Sequence, residues 1–361
     1  MCSRLVALGD DVLVVCADEP RGSGDAGDGV QVRRLPWRLK IANTNITPRL
    51  PWVLVQEPWD LVHTHLPTPW SADWSVLVAR LLGRGSVVSY YNEIVGEGLA
   101  RRAARLYAAT VQRLTLGLAD RVVVVSDAWR DQLVSAQPAL ADKIVVIPTG
   151  VDLVRYTPGE RGDGSQLLFV GILDRFHRYK GLDVLLAALA RVEAPFELTI
   201  VGEGDLRGEY ERQRDHLGLH GRVRFAGRVD DDELREEYAR CDVYILPSDF
   251  APQEGGFTLT ALEAMASGAP VILADGAGQV AVDAAEFGAG LRVRAGDVDG
   301  LAAAVTALLG DATERCRMSA AARAFVERRH SWDAITDERR AVYADAARAA
   351  RERRRGERGI G

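Results

Sequence analysis

Short apolar runs rich in β-branched residues alternate along the chain with longer segments in which apolar positions recur at helical spacing. Runs that are apolar at nearly every position are typical of parallel strands, since helices cover both faces of a parallel sheet. The first half of the chain contains five such runs, Val12–Cys16, Leu61–His63, Val87–Ser89, Val122–Val125 and Ile144–Ile147. The second half contains five more, Leu167–Val170, Leu198–Val201, Val223–Phe225, Val243–Leu246 and Val271–Leu273.

Two successive series of strands and helices predict an α/β protein with two doubly wound, Rossmann-like domains. A chain of 361 residues is long enough for two such domains. We expect the first domain at residues 1–156 and the second at 157–330, joined by a Pro- and Gly-rich linker within 156–165. Residues 331–361 form a long helical pattern with a basic tail, and we expect this helix to return toward the first domain.

The beginning of the chain departs from the usual order of a doubly wound domain, which opens with a strand, a glycine-rich turn and a helix. Met1 already lies in what looks like the end of a helix, and the first clear strand is Val12–Cys16. We therefore expect the first strand and its glycine-rich loop to be missing, because the true start lies upstream or the gene is truncated. An in-frame stop codon shortly before Met1 would exclude a missed start.

Composition narrows the class of protein without indicating a function. Apolar residues make up 47% of the chain, which allows packed cores, and the formal charge of −6 argues against a nucleic-acid-binding protein. The four cysteines are scattered without a CxxC pair, so neither a disulfide framework nor a zinc site is predicted. We expect a cytoplasmic protein, because no apolar stretch approaches the ~18 residues of a membrane span and no signal peptide is evident.

The densest candidate site is the segment LFVGILDRFHRYKGLDVLL, in which a strand ends at Gly171 and a helix begins near Gly181. Arg175, Arg178 and Lys180 lie in the loop between them. Loops at the carboxyl ends of parallel strands form the usual ligand edge of such sheets, and cations placed there can bind a diphosphate. From this segment alone, a solvated basic loop is an equal alternative.

A second candidate follows another strand, in the segment PSDFAPQEGGFTLTALEAMASGAP. Gly255 and Gly256 allow a ligand to approach the backbone closely. Glu263 lies on the following helix among apolar residues, where a carboxylate can accept hydrogen bonds from a vicinal diol such as ribose. Glycine turns after two further strands, at Gly202 and just before Arg228, are expected at the same edge and are weak signals alone.

Together the segments FVG…KGLDVLL, VGEG, RVRFAGRV, CDVYILPS and LEAMASGAPV resemble glycosyltransferase family 4, the retaining enzymes of the GT-B fold. The resemblance covers residues 1 to about 343. It implies transfer of a hexosyl group, mannosyl- or glucosyl-like, from a GDP or UDP sugar to a glycan or lipid-linked acceptor. It also implies a donor substrate in place of a bound cofactor, and chemistry without a metal ion.

The same resemblance assigns roles to residues of this chain. Lys180, Arg175 and Glu254 would be the catalytic residues, with the cations holding the donor diphosphate and Glu254 facing the donor sugar. Glu263 would bind the ribose, and the other donor-binding residues would be Gly171, Gly202, Arg228, Val229, Gly255, Gly256, Phe257 and Thr258. The acceptor-side residues are Tyr91 and Asn92, from the segment YYNEIVG that resembles the family's YHNDIVG-like segment, and His65, a polar residue after a strand.

Four positions depart from the family pattern. Ile172 stands where an arginine often follows the strand-end glycine, so Arg175 would have to take that role. Glu254 and Glu263 are nine residues apart instead of the family's eight, which places Gly255 at the expected position. The other two departures are Tyr91 for the family histidine and Thr149 for the asparagine of the usual IPNGVD.

Several charged groups have structural interpretations. The run at residues 230–232 resembles a DxD metal site, but Asp230 with Glu233 fits a helix capping box better, and Asp297 also precedes a helix. The basic patches at residues 33–40 and 101–105 would attract anionic lipid by about 1 kcal/mol per cation, which makes peripheral contact with the inner membrane face an option. Ordinary surface arginines are the alternative.

Two other functions stay open from the sequence. A catalytically impaired protein that binds a sugar nucleotide would fit the missing first strand and Tyr91. The other is a glycoside hydrolase with Glu254 and Glu263 as paired carboxylates, but this function does not explain the cationic loop that contains Lys180.

Overall fold

The computed structural model describes residues 1–19, 29–41, 44–94, 98–160, 162, 164–249 and 259–358. The chain forms two compact units. Unit 1 comprises Met1–Pro148 together with Asp333–Gly361, and unit 2 comprises Thr149–Trp332. Each unit contains parallel strands and its own buried apolar core.

The strands of unit 1 are β1 (Leu13–Ala17), β2 (Gln31–Leu35), β3 (Leu39–Ile41), β4 (Thr44–Ile46), β5 (Leu61–Leu66), β6 (Gly85–Tyr90), β7 (Arg121–Val124) and β8 (Ile144–Val146). The strands β5, β6, β7 and β8 form a parallel sheet in that order, whereas β1 pairs with β2 in a separate parallel sheet. The short strands β3 and β4 pair with each other in antiparallel orientation. The five runs predicted for this half fall in β1, β5, β6, β7 and β8, while the missing first strand stays a prediction.

The helices of unit 1 are α1 (Cys2–Ala7), α2 (Leu50–Gln56), α3 (Ser71–Leu82), α4 (Gly98–Tyr107), α5 (Arg113–Leu118), α6 (Asp127–Ala136) and, from residue 333 on, α14 (Trp332–Arg358). A π-helical turn, Ala108–Gln112, joins α4 to α5. The helix α14 buries an apolar stripe of Val342, Ala346 and Ala350. Arg121 at the start of β7 is ion-paired with Asp345 of α14, with 2.6 Å between Nε and Oδ2.

Unit 2 contains a six-stranded, wholly parallel sheet made of β9 (Gln166–Val170), β10 (Glu197–Val201), β11 (Val223–Gly227), β12 (Val243–Leu246), β13 (Val271–Ala274) and β14 (Gly290–Val293). The order across the sheet is β11-β10-β9-β12-β13-β14, so the strand order reverses beside β9. In an open α/β sheet, such a reversal creates a crevice at the carboxyl ends of the flanking strands. The α/β fold class with parallel sheets is therefore confirmed.

The helices of unit 2 are α7 (Leu182–Leu189), α8 (Arg207–His216), α9 (Asp231–Arg240), α10 (Leu259–Ala266), α11 (Gln279–Phe287), α12 (Val298–Gly310) and α13 (Ala312–Arg329). Asp230 accepts the Glu233 N–H and Glu233 accepts the Asp230 N–H, so the predicted capping box of α9 is confirmed. Asp297 caps α12 by accepting the Gly300 N–H. Among the described residues, no helix combines the length and the apolar character needed to cross a membrane.

Candidate functional site

Three glycines lie at the carboxyl ends of neighbouring strands in unit 2. Gly171 follows β9, Gly202 follows β10 and Gly227 ends β11. The Gly171 N–H donates to Val201 O (2.9 Å) and the Gly202 N–H donates to Gly227 O (2.8 Å), so backbone pairing continues beyond the strands. Gly202 has φ +142°, and a Cβ at this position would lie 1.8 Å from Gly171 O. This edge is therefore bare backbone, which a ligand can approach closely.

Lys180 lies over this edge. The segment Arg175–Lys180, called the donor loop below, forms a short 3₁₀-helix that Gly181 ends with φ +73°. The Lys180 side chain crosses Gly171 so closely that a Cβ on Gly171 would be 2.7 Å from Cδ and 3.1 Å from Nζ. Burial lowers the pKa of Lys180, and the Asp174 carboxylate opposes this only in part. Within the described residues, Lys180 has no ion-pair partner.

The donor loop is bound to the beginning of the loop that follows β12. The Asp249 N–H donates to Tyr179 O (2.8 Å), and a Cβ on Gly181 would lie 2.2 Å from Pro247 O. Because β12 pairs with β9, these contacts hold two candidate segments of the sequence at one edge of the sheet. The structure therefore brings the two segments together, and it describes the second segment up to Asp249.

The two arginines of the donor loop have different surroundings. Arg178 is ion-paired with Glu209 of α8, with 2.8 Å between Nη2 and Oε1. Arg175 is exposed, and its guanidinium lies over the Phe176 ring, 5.2 Å from the centroid. Arg175 is therefore the loop arginine whose charge is not already held by a described carboxylate.

Asp174 orders the donor loop, a role that the sequence analysis missed. Its carboxylate accepts the N–H groups of Phe176 and His177, both at 2.9 Å, and Oδ1 lies 2.7 Å from His177 Nδ1. An aspartate directly before a helical turn is a local capping signal that could have indicated this role.

Glu263 lies on α10, the helix after β12, and two buried tyrosines hold its carboxylate. Tyr238 OH donates to Glu263 Oε2 (2.9 Å), and Tyr156 OH donates to the same carboxylate. Burial raises the pKa of Glu263, while these hydrogen bonds act in the opposite direction. A carboxylate has about four acceptor positions, so Glu263 retains capacity for two further hydroxyl donors. No local sequence signal marks either tyrosine, since their contact depends on the tertiary fold.

The remaining predicted donor-side residues follow β11 or lie beyond β12. Arg228 is exposed and Val229 is half-buried in the loop between β11 and α9, at the same edge of the sheet as Gly171. The residues Glu254, Gly255, Gly256, Phe257 and Thr258 lie outside the described residues.

In unit 1 a histidine network connects β5 and β6 to α14. His63 Nε2 is 2.8 Å from Ser89 Oγ, and His63 Nδ1 is 2.7 Å from Tyr343 OH. Arg339, which is 3% exposed, donates to Ser89 Oγ, and its Nε is buried without a hydrogen-bond partner among the described residues. Burial and the charges of His65 and Arg339 hold the pKa of His63 well below its usual value, so its imidazole is neutral at pH 7.

The predicted acceptor-side residues lie at the carboxyl ends of β5 and β6. The rings of His65 and Tyr91 stack at 5.6 Å with 12° between their planes. The Tyr91 N–H donates to Leu66 O (3.2 Å), and the exposed Asn92 follows. The rest of this segment, residues 95–97, lies outside the described residues.

The geometry of unit 2 suits a ligand that combines an anionic group with a diol. A desolvated cation and a bare backbone edge lie after β9, and a partly satisfied carboxylate lies on the helix after the neighbouring strand. In the part of the chain that the structure describes, no three His, Cys, Asp or Glu side chains are grouped so that they could hold a metal ion.

Comparison with known proteins identifies the family of both halves. A family described as Glycosyltransferase Family 4 matches residues 1–155, and one described as Glycosyl transferases group 1 matches residues 164–311. The chain is 31% identical to a phosphatidyl-myo-inositol mannosyltransferase of Mycolicibacterium smegmatis, over 81% of this chain and 72% of that protein. It is also 31% identical to a GDP-mannose-dependent alpha-mannosyltransferase of the same organism, over 93% of this chain and 88% of that protein.

A solved structure agrees on the fold. The Anabaena protein HepE in complex with UDP matches with a TM-score of 0.72 and 19% identity, over 93% of this chain and 100% of that chain. The expected GT-B fold is therefore confirmed, and the two relatives from Mycolicibacterium smegmatis are mannosyltransferases. The chain belongs to glycosyltransferase family 4.

Proposed function

We propose that this protein transfers a hexosyl group, mannosyl- or glucosyl-like, from a nucleoside diphosphate sugar to a hydroxyl of a glycan or lipid-linked acceptor. Unit 2 binds the donor, unit 1 binds the acceptor, and no metal ion takes part. The relatives support such a donor, since one is named as GDP-mannose-dependent and the HepE structure contains UDP. The proposal includes GDP sugars and UDP sugars alike as donors.

The observation that carries the proposal is the surroundings of Lys180. A desolvated ammonium without an ion pair is costly unless an anion compensates its charge. The donor diphosphate, lying across Gly171 and Gly202, would supply that compensation. Arg175, exposed at the beginning of the donor loop, would bind the same diphosphate.

The proposed chemistry is transfer with retention at the anomeric carbon. The bond from the anomeric carbon to the β-phosphate oxygen breaks while the acceptor oxygen bonds to the same face of the sugar. The acceptor's hydroxyl proton passes to the departing phosphate oxygen. Negative charge grows on the diphosphate during this step, so a fixed cation at Lys180 would lower the barrier more than it favours the bound substrate.

A membrane contact would suit a lipid-linked acceptor. On α4, Leu99 and Leu106 are 80% and 67% exposed. Arg101, Arg102 and Arg105 share this helix and are also exposed. Helices with exposed leucines and arginines bind anionic membrane surfaces through apolar insertion and charge attraction. We therefore propose peripheral contact through α4.

Nucleotide release from a panel of GDP and UDP sugars, measured with and without glycan and lipid acceptors, tests the proposal directly. We expect one donor to be turned over only when an acceptor is present, and the anomeric configuration by NMR to match that of the donor. Saturable donor binding without turnover would instead support the catalytically impaired alternative. Cleavage that consumes water and needs no nucleotide would support a hydrolase.

Replacing Glu263 tests the ribose contact. Glu263→Gln keeps the shape of the side chain but removes the charge that two ribose hydroxyls would contact, so we expect the Kd for the nucleoside diphosphate to rise about tenfold. Glu286→Gln, an exposed change on α11, is the matched control. Calorimetry measures both affinities. Equal affinity of Glu263→Gln and the unmodified protein would remove Glu263 from the donor site.

A further inference from the structure

A basic pocket lies in unit 1 at the amino ends of the strands, opposite the edge that carries His65 and Tyr91. Its volume is about 360 Å³, which is within the range of small-molecule sites. Arg121 begins β7 and Lys143 directly precedes β8, so both project from the amino ends of neighbouring strands. The charged side chains that line the pocket are Arg80, Asp120, Arg121, Lys143 and Arg353, and we call it the anion pocket.

The positive charge of the anion pocket exceeds the negative charge of its described lining. Four cationic side chains line the pocket, and Asp120 supplies the carboxylate of the described lining. Asp120 is already occupied, because it accepts the Ser86 N–H (2.9 Å) and the Ser86 hydroxyl (3.0 Å) and is ion-paired with Arg353. A concave site with excess charge of one sign concentrates ions of the opposite sign.

The neighbouring acid outside the lining does not balance this excess. Asp345 of α14 is ion-paired with Arg121 and lies 3.3 Å from Arg348, so two cations already share it. With Arg80 left out of the count, the other three lining cations still outnumber Asp120 and Asp345 by one.

Two of the lining cations retain unused hydrogen-bond donors. Arg353 Nη2 is buried and has no hydrogen-bond partner among the described residues. Lys143 donates to Gly117 O (2.6 Å) and Ala119 O (3.0 Å), which uses two of its three ammonium protons. Burial and the nearby charges of three arginines lower the pKa of Lys143, while Asp120 opposes this. A buried donor that lacks an acceptor is costly, and a bound anion would satisfy it.

We propose that the anion pocket binds a phosphate group, carried by a small phosphorylated molecule or by a lipid headgroup. A phosphate dianion offers several acceptor oxygens and enough charge for the guanidinium groups of Arg80, Arg121 and Arg353 together with the Lys143 ammonium. Because the pocket lies at the amino ends of β6, β7 and β8, it is separate from the acceptor-side residues of unit 1, and none of its lining residues belongs to the donor loop. The site therefore does not depend on the proposed transfer reaction.

Calorimetric titration of the full chain with inorganic phosphate and pyrophosphate, at constant ionic strength, tests the site. Arg353→Gln and Arg80→Gln remove a cation from two different helices, and Arg351→Gln is an exposed control on the same helix as Arg353. The Lys180→Ala variant serves as background, since it removes the cation that we propose to bind phosphate at the donor loop. Flotation with vesicles of phosphatidylcholine containing phosphatidic acid, or without it, distinguishes a lipid source. Thermal melting without ligand shows that each variant is folded.

We expect phosphate or pyrophosphate to bind in the Lys180→Ala background and in Arg351→Gln. Arg353→Gln and Arg80→Gln should each weaken binding at least tenfold. Flotation only with phosphatidic acid, lost in the same two variants, would support the site with a lipid headgroup as its source. Equal binding by all folded variants, or no binding of either phosphate probe or of the acidic vesicles, would overturn the proposal. If Arg353→Gln does not fold, Arg80→Gln decides the result.

Discussion

At single residues, the sheet edge formed by Gly171, Gly202 and Gly227 depends on the absence of side chains. Gly202 combines a φ of +142° with a position where a Cβ would lie 1.8 Å from Gly171 O. Gly218 has a φ of +72°, but a Cβ there would meet nothing within 4 Å. The two positions therefore separate the effect of backbone conformation from the effect of close packing.

We predict that Gly202→Ala lowers the free energy of unfolding by well over the 1–2 kcal/mol that an unfavourable φ costs alone, because the backbones after β9 and β10 must also move apart. Gly218→Ala should cost only about 1–2 kcal/mol. Chemical denaturation of both variants measures this difference. Similar losses in the two variants would show that the close contact at Gly202 is unimportant.

Only part of the candidate site could be predicted at this scale. Lys180 was identifiable through the resemblance to glycosyltransferase family 4, and Glu263 also because a carboxylate on an apolar helix is unusual. Tyr156 and Tyr238 were not, because buried tyrosines are common and their contact with Glu263 joins segments distant in sequence. Arg339 was hidden in the same way among the many arginines of α14.

Among the elements, runs of apolar residues decided which strands could be predicted. Each of the ten predicted runs overlaps a strand of the structure. The strands β2, β3, β4 and β14 were missed, and the sequences of β2 and β14, QVRRL and GLRV, carry arginines. All four lie at the edge of a sheet, where one side of the strand is open and polar residues are tolerated. The donor loop was predicted as a loop, and its 3₁₀-helix depends on the cap by Asp174.

The helix α14 contributes to the interior of unit 1 through Tyr343 and Arg339. Both side chains reach the polar groups of β5 and β6, where His63 and Ser89 lie. The sequence predicted the helix itself, but it did not indicate these partners. Their burial makes each hydrogen bond more consequential than one at the surface.

We predict that Tyr343→Phe lowers the free energy of unfolding of unit 1 by about 1–3 kcal/mol, because His63 Nδ1 loses its partner at a largely desolvated position. Hydrogen exchange should rise in α14. The control is Arg348→Gln, a change at an exposed position of the same helix. Unchanged exchange in Tyr343→Phe would mean that α14 is held by its apolar stripe and ion pairs instead.

At the scale of the whole molecule, buried histidines make stability depend on pH in both units. Burial lowers the pKa of His63 in unit 1 and of His330 in unit 2, although His330 also contacts Thr149 O (2.9 Å). The unfolded chain therefore takes up more protons than the folded chain once the pH falls below about 6.5.

We predict that stability is insensitive to these histidines above pH 7 and falls as the pH decreases from about 6.5 toward the lowered pKa values. Each histidine contributes at most about 1.4 kcal/mol per pH unit. Unfolding by denaturant at pH 7.5 and at pH 5.5 measures the change. His330→Asn should reduce the pH dependence of unit 2, and an unaltered dependence would exclude His330 as a contributor.

We propose that Lys180 binds the departing diphosphate, and the turnover of Lys180→Ala on the donor that the panel identifies tests this role. Arg178→Ala is the matched control, because Arg178 lies in the same loop but is ion-paired with Glu209. We predict that Lys180→Ala folds normally and loses about 10²–10³-fold in kcat, whereas Arg178→Ala stays within a few fold of the unmodified protein. A folded Lys180→Ala protein with nearly unchanged kcat would exclude Lys180 from binding the departing diphosphate.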